Sequence, residues 1–510
     1  MNWDYLIITA ANARQAEGFR AQLAKRDFPA ATHVAVVPDP PMERIGNGGS
    51  TLNALRYIAE RETTFDCLKV LVILSSGDSK RVPQYSALGK IFSPVPRVLS
   101  DGRASTLFDE IWSVMEKVPD RMNNGMFVLS GDVLLAFDPK DLTTGDAEAM
   151  AIAFPEPVEQ GSGHGVFLSN EDGNIAGVWH KQSPEKLKAF GAVDKNGNVN
   201  IDTGAVYFSP KIMTDLYSLV STEETFHQYV NAHIAPSLYV DFFYPLAENA
   251  TMEGYLAETP EHLMSRELLE LRQKLWQILR KYRIRLLNID SGRFIHFGST
   301  DEVARLMSKE IGDYSCFGWQ KVVCSQVPKK FEGSAWCSVI EDGAVIQKDV
   351  FVERSVIPAG ATVGNGSIVS YGKLSPGDEV PENVLLHCLR RYDGQYVCKI
   401  SGIDENPKSR ISGAASSMEG QLSFDQQSSL KTIGNTDTAL ARLERIADLS
   451  GVWHEGKAQI LWDARIYPVR ETLHEAVQAA LCFWKTGELP ALPRTSMNES
   501  FNDADGMYFI

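Results

Sequence analysis

Short apolar runs closed by small or polar residues recur along the first part of the chain. Tyr5–Thr9, His33–Val37, Val70–Leu74 and Met126–Leu129 are rich in branched residues, and each reads as a buried strand. Helical spacing predicts helices over about Arg14–Lys25 and over Leu107–Lys117, with Leu52, Leu55 and Ile58 on the apolar face of another. Farther on, Gly161, Gly163 and Gly165 precede a strand, a Glu-Asp-Gly-Asn turn and a second strand. NIDTGAVYFSP reads as one more strand, and Glu261 to Tyr282 as a helix-rich piece.

From Cys337 the pattern changes. Ile340, Ile346 and Val352 stand six apart, as do Ile357, Val363 and Val369, with one five-residue step between the two sets. Hexads with small residues between them mark a parallel β-helix, each coil burying a branched side chain. A plain antiparallel sheet would give a period of two instead. Beyond about Lys399 comes a Ser-, Asn- and Gly-rich stretch, then helical segments around Thr438–Leu449 and Leu473–Trp484. The organisation expected is three domains, over residues 1–310, 311–400 and 401–510.

Composition narrows the function classes. A chain of 510 residues can bury a large core in two or three domains. A formal net charge of −15 argues against a general nucleic-acid binder, while leaving room for a locally basic site that takes a small anion. The seven cysteines are scattered, with no CxxC pair, so neither a disulfide framework nor a zinc site is expected. Reduced thiols, no signal peptide and no membrane span make a cytoplasmic location the expectation.

The candidate chemistry sits at strand ends. Val70–Leu74 empties into Ser75-Ser76-Gly77-Asp78-Ser79, followed by Lys80 and Arg81 and, behind Gly89, by Lys90. Such a loop lets backbone N–H groups face anionic oxygens, and the cations supply charge that a triphosphate needs. The spacing alone fits an ordinary strand-to-turn connection equally well. Gly46, Gly48 and Gly49 form a second glycine loop, with Ser50 or Thr51 placed to cap the helix after it. Which loop takes a triphosphate and which a base stays open. Met126–Leu129 ends in Ser130-Gly131-Asp132, and a carboxylate there can either cap a turn or hold a hard cation.

The stretch from Gly77 to Phe92, with Ser79, Arg81, Val82, Pro83, Ser86, Gly89, Lys90 and Ile91 in place, resembles the signature of fucose-1-phosphate guanylyltransferases. WDYLIITAAN, GNGGSTLNAL and SGDSKRVP stand in that family's order. LWDARIYPVRETL resembles the part that follows the β-helix in the pyrophosphorylase half of bifunctional fucokinase/GDP-fucose pyrophosphorylases. One departure is Ser75-Ser76, where many relatives carry His-Ala-Gly or similar. The resemblance covers most of residues 1–400 and, loosely, 450–490. It implies an α/β fold: a Rossmann-like, GT-A-like nucleotidyltransferase domain with a mixed sheet, then a short left-handed parallel β-helix and a C-terminal α-rich extension.

The same resemblance implies roles. Arg81, Lys90 and Lys181 would be catalytic. Ala10, Ala11, Gly46, Gly48, Gly49, Ser50, Gly77, Ser79 and Lys80 would bind nucleotide. Gly165, His180, Asp202, Thr203 and Gly204 would border the sugar. Asp132, and Asp241 after Ser-Leu-Tyr, would hold Mg²⁺. The implied substrates are GTP and L-fucose 1-phosphate, with no nucleic-acid or membrane partner; a homo-oligomer is compatible with the β-helix. Three alternatives stand beside this: a pyrophosphorylase for another sugar 1-phosphate, a non-catalytic regulator that binds a nucleotide sugar, and a β-helix acyltransferase. The intact Arg81, Lys90 and Asp132 argue against the second, and the short hexad run argues against the third.

Overall fold

A computed structural model describes residues 2–41, 43–260, 264–410, 438–446, 449–453 and 459–509. The Ser-rich stretch after residue 410, with its GAASSMEG segment, lies outside the described residues. Contacts group the chain into two compact units. One holds residues 1–77 and 108–296, and the other holds residues 78–107 together with residues from 297 onward.

The core of the first unit is a nine-stranded sheet. Its parallel part comprises β1 (Tyr5–Ala10), β2 (His33–Pro38), β3 (Lys69–Leu74) and β4 (Gly125–Ser130), side by side in the order β2-β1-β3-β4. All six residues of β1 and of β3 are buried. Continuous apolar runs of this kind belong to strands covered on both faces, which is why they lack alternation. Helices α1 (Ala13–Leu23) and α2 (Gly46–Ala59) connect these strands. Because the four strands run in one direction, their carboxyl ends lie along one edge. Ala10-Ala11, Asp39, Ser75-Ser76-Gly77 and Ser130-Gly131-Asp132 follow those ends, the edge where open α/β sheets place ligands.

The sheet continues antiparallel. Asn198–Phe208 pairs with β4, with Ala149–Pro157 and with Gly165–Ser169, and the last of these forms a hairpin with Ile175–His180. Pairing between the long strand and Ala149–Pro157 slips between Asp202 and Val206. Gly204 sits in that slip with φ +72°. Bulges of this kind redirect side chains beside functional sites.

The second unit contains three parallel ladders. Ser334, Phe351, Ile368 and Leu385 pair in succession along the first. Val339 pairs with Val356 on the second, and Val345, Thr362 and Glu379 follow one another on the third. Every step is seventeen residues. Two sides of six and one of five make that coil, so the five-residue step seen in the sequence is a regular corner and not a break. The corners show it directly. Cys337, Arg354 and Tyr371 share positive φ, as do Asp349, Gly366 and Asn383, and Gly343, Gly360 and Gly377. Each left-handed residue turns the chain from one ladder to the next.

Val384–Arg390 closes the first ladder and turns back antiparallel as Tyr396–Gly402. The helix Leu473–Thr486 follows, starting in a capping box from Thr472 and Glu475 and ending at Gly487 in the left-handed conformation. The helix expected over Thr438–Leu449 is short, Ala439–Leu443. All seven cysteines are free thiols. Among the described residues, no helix is long and apolar enough to cross a membrane.

One carboxylate in the coil titrates near neutrality. Glu353 is fully buried, and burial pushes its carboxyl up to about 7, against hydrogen bonds from Ser370 and Tyr85 and the charge of Arg354, which pull it down. Between pH 4.5 and about 7 the folded chain therefore keeps a proton that the unfolded chain gives up. The contribution of Glu353 to stability should fall as pH rises through that window, on the order of 1 kcal/mol per pH unit, while His387, held neutral by burial, contributes with the opposite sign below its ordinary value. Glu353→Gln removes the falling component, so urea denaturation at stepped pH should show the variant gaining stability relative to the wild type as pH rises from 4.5 to about 7.

Candidate functional site

Gly77 belongs to the first unit and Asp78 to the second. The predicted site residues are thus distributed over both units, and each group has its own internal geometry.

In the first unit, the glycine loop is not a loop. Helix α2 begins at Gly46, so Gly48, Gly49 and Ser50 lie within its first turns, and neither Ser50 nor Thr51 is the cap. The glycines answer to packing. A Cβ on Gly46 would come within 2.7 Å of the Ala235 backbone, and one on Gly48 within 2.7 Å of the Pro236 carbonyl oxygen. Gly48 N donates to that same oxygen at 2.9 Å, and Leu238 N donates to Asn47 Oδ1 at 2.6 Å. Ser50, 1% exposed, donates to Asp39 Oδ1 at 3.1 Å and lies 2.8 Å from Ser76 Oγ. Ser75 N donates to Thr9 Oγ1 at 2.9 Å. These bonds tie the ends of β1, β2 and β3 to the start of α2. Ala10 and Ala11 are fully buried at the end of β1, and Ala11 N donates to Gln15 Oε1. Gly77 is exposed, and a Cβ there would meet nothing within 4 Å.

A second cluster forms where the long strand slips. Ser130 Oγ donates to Asp132 Oδ1. Asp202 Oδ1 accepts from Gly204 N at 2.8 Å, and a Cβ on Gly165 would approach Asp202 Cβ at 3.0 Å. A Cβ on Gly204 would stand 3.1 Å from Ser130 Cβ and 2.9 Å from the Tyr239 hydroxyl. Asp132, Gly165, Asp202 and Gly204 are therefore held together by close contacts. His180 pairs with Gly165 across the hairpin, and Lys181, at φ +49°, donates its N–H to the His164 carbonyl at 2.9 Å.

Two histidines join this group that the sequence did not single out. His296 Nε2 lies 3.8 Å from Asp132 Oδ2, and the rings of His164 and His296 meet edge to face at 5.4 Å. Both stood in view, in GSGHG and RFIHFG, but a lone histidine beside glycine gives no hint of a distant carboxylate. Among the described residues, no three His, Cys, Asp or Glu side chains gather to hold a metal ion. A magnesium ion that keeps water and phosphate oxygens as ligands needs only one or two carboxylates, and Asp132, a partly exposed hard oxygen donor, fits that demand.

Two expected site residues are engaged elsewhere. Asp241 is 2% exposed, with Oδ1 accepting from Arg272 Nε at 2.8 Å and Oδ2 from Ser237 N at 2.6 Å. Arg272 is wholly buried and also donates to the Tyr255 and Glu258 carbonyls. Asp241 is the internal counter-ion of Arg272, buried, whereas the expected metal ligand would have to face the substrates. Thr203, 2% exposed, donates to the Ile152 carbonyl at 2.7 Å and holds the bulge rather than facing outward.

In the second unit, Lys80 Nζ lies 3.5 Å from Asp78 Oδ2 and 5.8 Å from the Trp462 ring. Ser79 adopts φ +53°. Arg81 is exposed, while its carbonyl accepts from Thr300 N at 3.0 Å and Thr300 Oγ1 at 3.2 Å. Lys90 is only 9% exposed and opens a 3-10 turn behind Gly89 at φ +81°. A lysine that deep is no solvated surface cation.

The sequence profile described as "Fucose pyrophosphorylase domain" matches residues 62–472. A mouse protein named fucose-1-phosphate guanylyltransferase is 26% identical, over 94% of this chain and 86% of its own length. A bifunctional fucokinase/GDP-fucose pyrophosphorylase from Arabidopsis thaliana is 27% identical over 72% of this chain, a match that covers 36% of that longer protein. Among solved structures, HddC from Yersinia pseudotuberculosis aligns with 59% of this chain and 77% of its own, at 12% identity and a TM-score of 0.29, too low to carry an argument.

The burial of Asp241 makes a discriminating prediction. Asp241→Asn leaves Arg272 charged and unmatched in the core, which should cost about 3–5 kcal/mol of stability. Urea denaturation reads that loss. The magnesium concentration giving half-maximal activity should stay unchanged in whatever protein remains folded.

Proposed function

The chain belongs to the fucose pyrophosphorylase family, and on that premise we propose that it joins GTP and L-fucose 1-phosphate to give GDP-L-fucose and pyrophosphate. A phosphate oxygen of the sugar 1-phosphate attacks the α-phosphorus of GTP in line. The bond from that phosphorus to the oxygen bridging to the β-phosphate breaks, and pyrophosphate departs with its electron pair. No general base is required, because a sugar phosphate is already ionised near neutral pH. What remains for the protein is to bring two polyanions together and to stabilise charge in flight.

The chain's cations and strand-end loops suit those tasks. Lys90 and Lys181 offset the repulsion between sugar phosphate and α-phosphate. Arg81, exposed on its braced turn, meets the β- and γ-phosphates and the leaving pyrophosphate. The open backbone at Gly77, with Ser79 and Lys80 after it, accepts the nucleotide, while the packed start of α2 shapes that loop from behind. Gly165, His180, Asp202 and Gly204 border the sugar. Asp132 would hold Mg²⁺, which would supply positive charge to offset the phosphate oxygens. We read the three seventeen-residue ladders as the short left-handed β-helix that the hexads suggested. The observation that carries the reading is the placement of Asp132 and the Ser75–Gly77 loop at the carboxyl ends of neighbouring parallel strands.

The test crosses GTP, ATP, UTP and CTP with fucose, mannose, glucose and N-acetylglucosamine 1-phosphates in the presence of Mg²⁺ and measures pyrophosphate release. GTP with fucose 1-phosphate should be the best pair by a wide margin. A better rate with another pair would move the substrate, and silence across the grid from folded protein would overturn the enzyme reading. Lys90→Ala and Asp132→Ala should each lower kcat at least about 100-fold, as removal of a transition-state charge contact does. Their thermal midpoints should move little.

A further inference from the structure

The second unit spends buried charge on one short turn. The turn is Pro83-Gln84-Tyr85, two residues past Arg81 and five before Lys90. Tyr85 and Gln84 are fully buried. The Tyr85 hydroxyl donates to Glu353 Oε2 at 2.9 Å, and the Pro83 carbonyl accepts from Lys399 Nζ at 3.2 Å. Glu353 stands on the first ladder of the coil, and Lys399 on the antiparallel strand Tyr396–Gly402 that closes it. Glu353 also accepts from Ser370 Oγ, one coil along, and His387 Nδ1 lies 3.0 Å from that hydroxyl, one coil farther. All of these groups are at most 2% exposed.

The arrangement is costly for stability alone. Among the described residues, no acidic side chain pairs with Lys399, and burial brings its ammonium down to about 7. Burial likewise holds His387 neutral. A carboxyl and an amine buried apart cost more than the apolar residues that could fill their places. What they secure is the backbone on either side of the turn. Val82 N donates to Ser79 O at 2.8 Å and Tyr85 N to Val82 O at 2.9 Å, which fixes Arg81 between them. Gly89 N donates to Tyr85 O at 2.8 Å, which fixes the start of the Lys90 turn. Tyr85 is thus the common footing of both cations.

We propose that Glu353 and Lys399 are positioning residues for nucleotidyl transfer, clamping the Pro83–Tyr85 turn through its tyrosine hydroxyl and its carbonyl so that Arg81 and Lys90 are presented in fixed register. The coil is on this account part of the catalytic apparatus. The catalytic half of the proposal rests on the function argued above; the clamp itself does not.

The experiment has two arms, on Tyr85→Phe, Lys399→Met and Lys399→Arg, with Val369→Ala as a buried coil change that touches neither clamp contact. Hydrogen exchange of the full chain tests the clamp without reference to activity. Tyr85→Phe and Lys399→Met should speed exchange across residues 79–92 at least 10-fold while residues 351–386 stay protected. Val369→Ala should leave residues 79–92 unchanged. Kinetics test the consequence: both clamp variants should lose kcat at least 10-fold, Lys399→Arg should recover much of it, and Val369→Ala should keep it at equal or greater loss of thermal midpoint. Unchanged exchange at 79–92 overturns the clamp. Faster exchange with undiminished kcat overturns its catalytic purpose. A wild-type chain silent with every substrate pair overturns the proposed function instead, and the exchange arm still decides the clamp.

Discussion

Four parallel strands ending along one edge of a sheet are the constraint on which the first unit depends. β1 and β3 are buried from end to end, and their polar side chains Thr9 and Lys69 are taken up by internal hydrogen bonds. Chemistry is forced into the residues just past the strands, where Ser75–Gly77 and Asp132 lie. The hydrogen bonds joining Ser50, Asp39, Ser76, Thr9 and Ser75 are the cost of ending strands there, because polar groups at a buried edge must be paired. The bulge from Asp202 to Val206 solves the neighbouring problem, bending a long antiparallel strand so that Gly204 and Asp202 approach Ser130 and Gly165.

Much of this was legible in the sequence because it is local. Branched apolar runs located the parallel strands to within a residue or two. The hexads fall on the parallel ladders, and the five-residue step falls at a corner: the left-handed conformation there cannot be recognised where Arg354 or Tyr371, rather than glycine, occupies it. The resemblance in residues 77–92 singled out Arg81 and Lys90, and backbone hydrogen bonds of Val82, Tyr85 and Gly89 order the turns between them.

The misreadings share one cause, partners far away in the chain. Gly46, Gly48 and Gly49 look like a loop because glycine disfavours helices, yet the backbone at Ala235 and Pro236 lies so close that only glycine fits at positions 46 and 48 in the first turn of α2. Asp241 looks like a metal ligand until Arg272, thirty-one residues on, takes its carboxylate. Thr203, expected to border the sugar, instead donates its hydroxyl to the Ile152 carbonyl inside the bulge. His164 and His296 carry the converse lesson, since neither is notable alone and both become so beside Asp132.

Everything in the proposed reaction turns on an oxygen of the sugar phosphate becoming the bond to the α-phosphorus of GTP while pyrophosphate leaves. The most direct measurement of that step is ³¹P NMR of the products formed from unlabelled GTP and fucose 1-phosphate carrying ¹⁸O in its phosphate oxygens. Direct attack predicts GDP-fucose with ¹⁸O in the bridge between its two phosphorus atoms and pyrophosphate free of label. Label in the pyrophosphate, or a bridge free of ¹⁸O, would mean that a different bond breaks and would contradict the account.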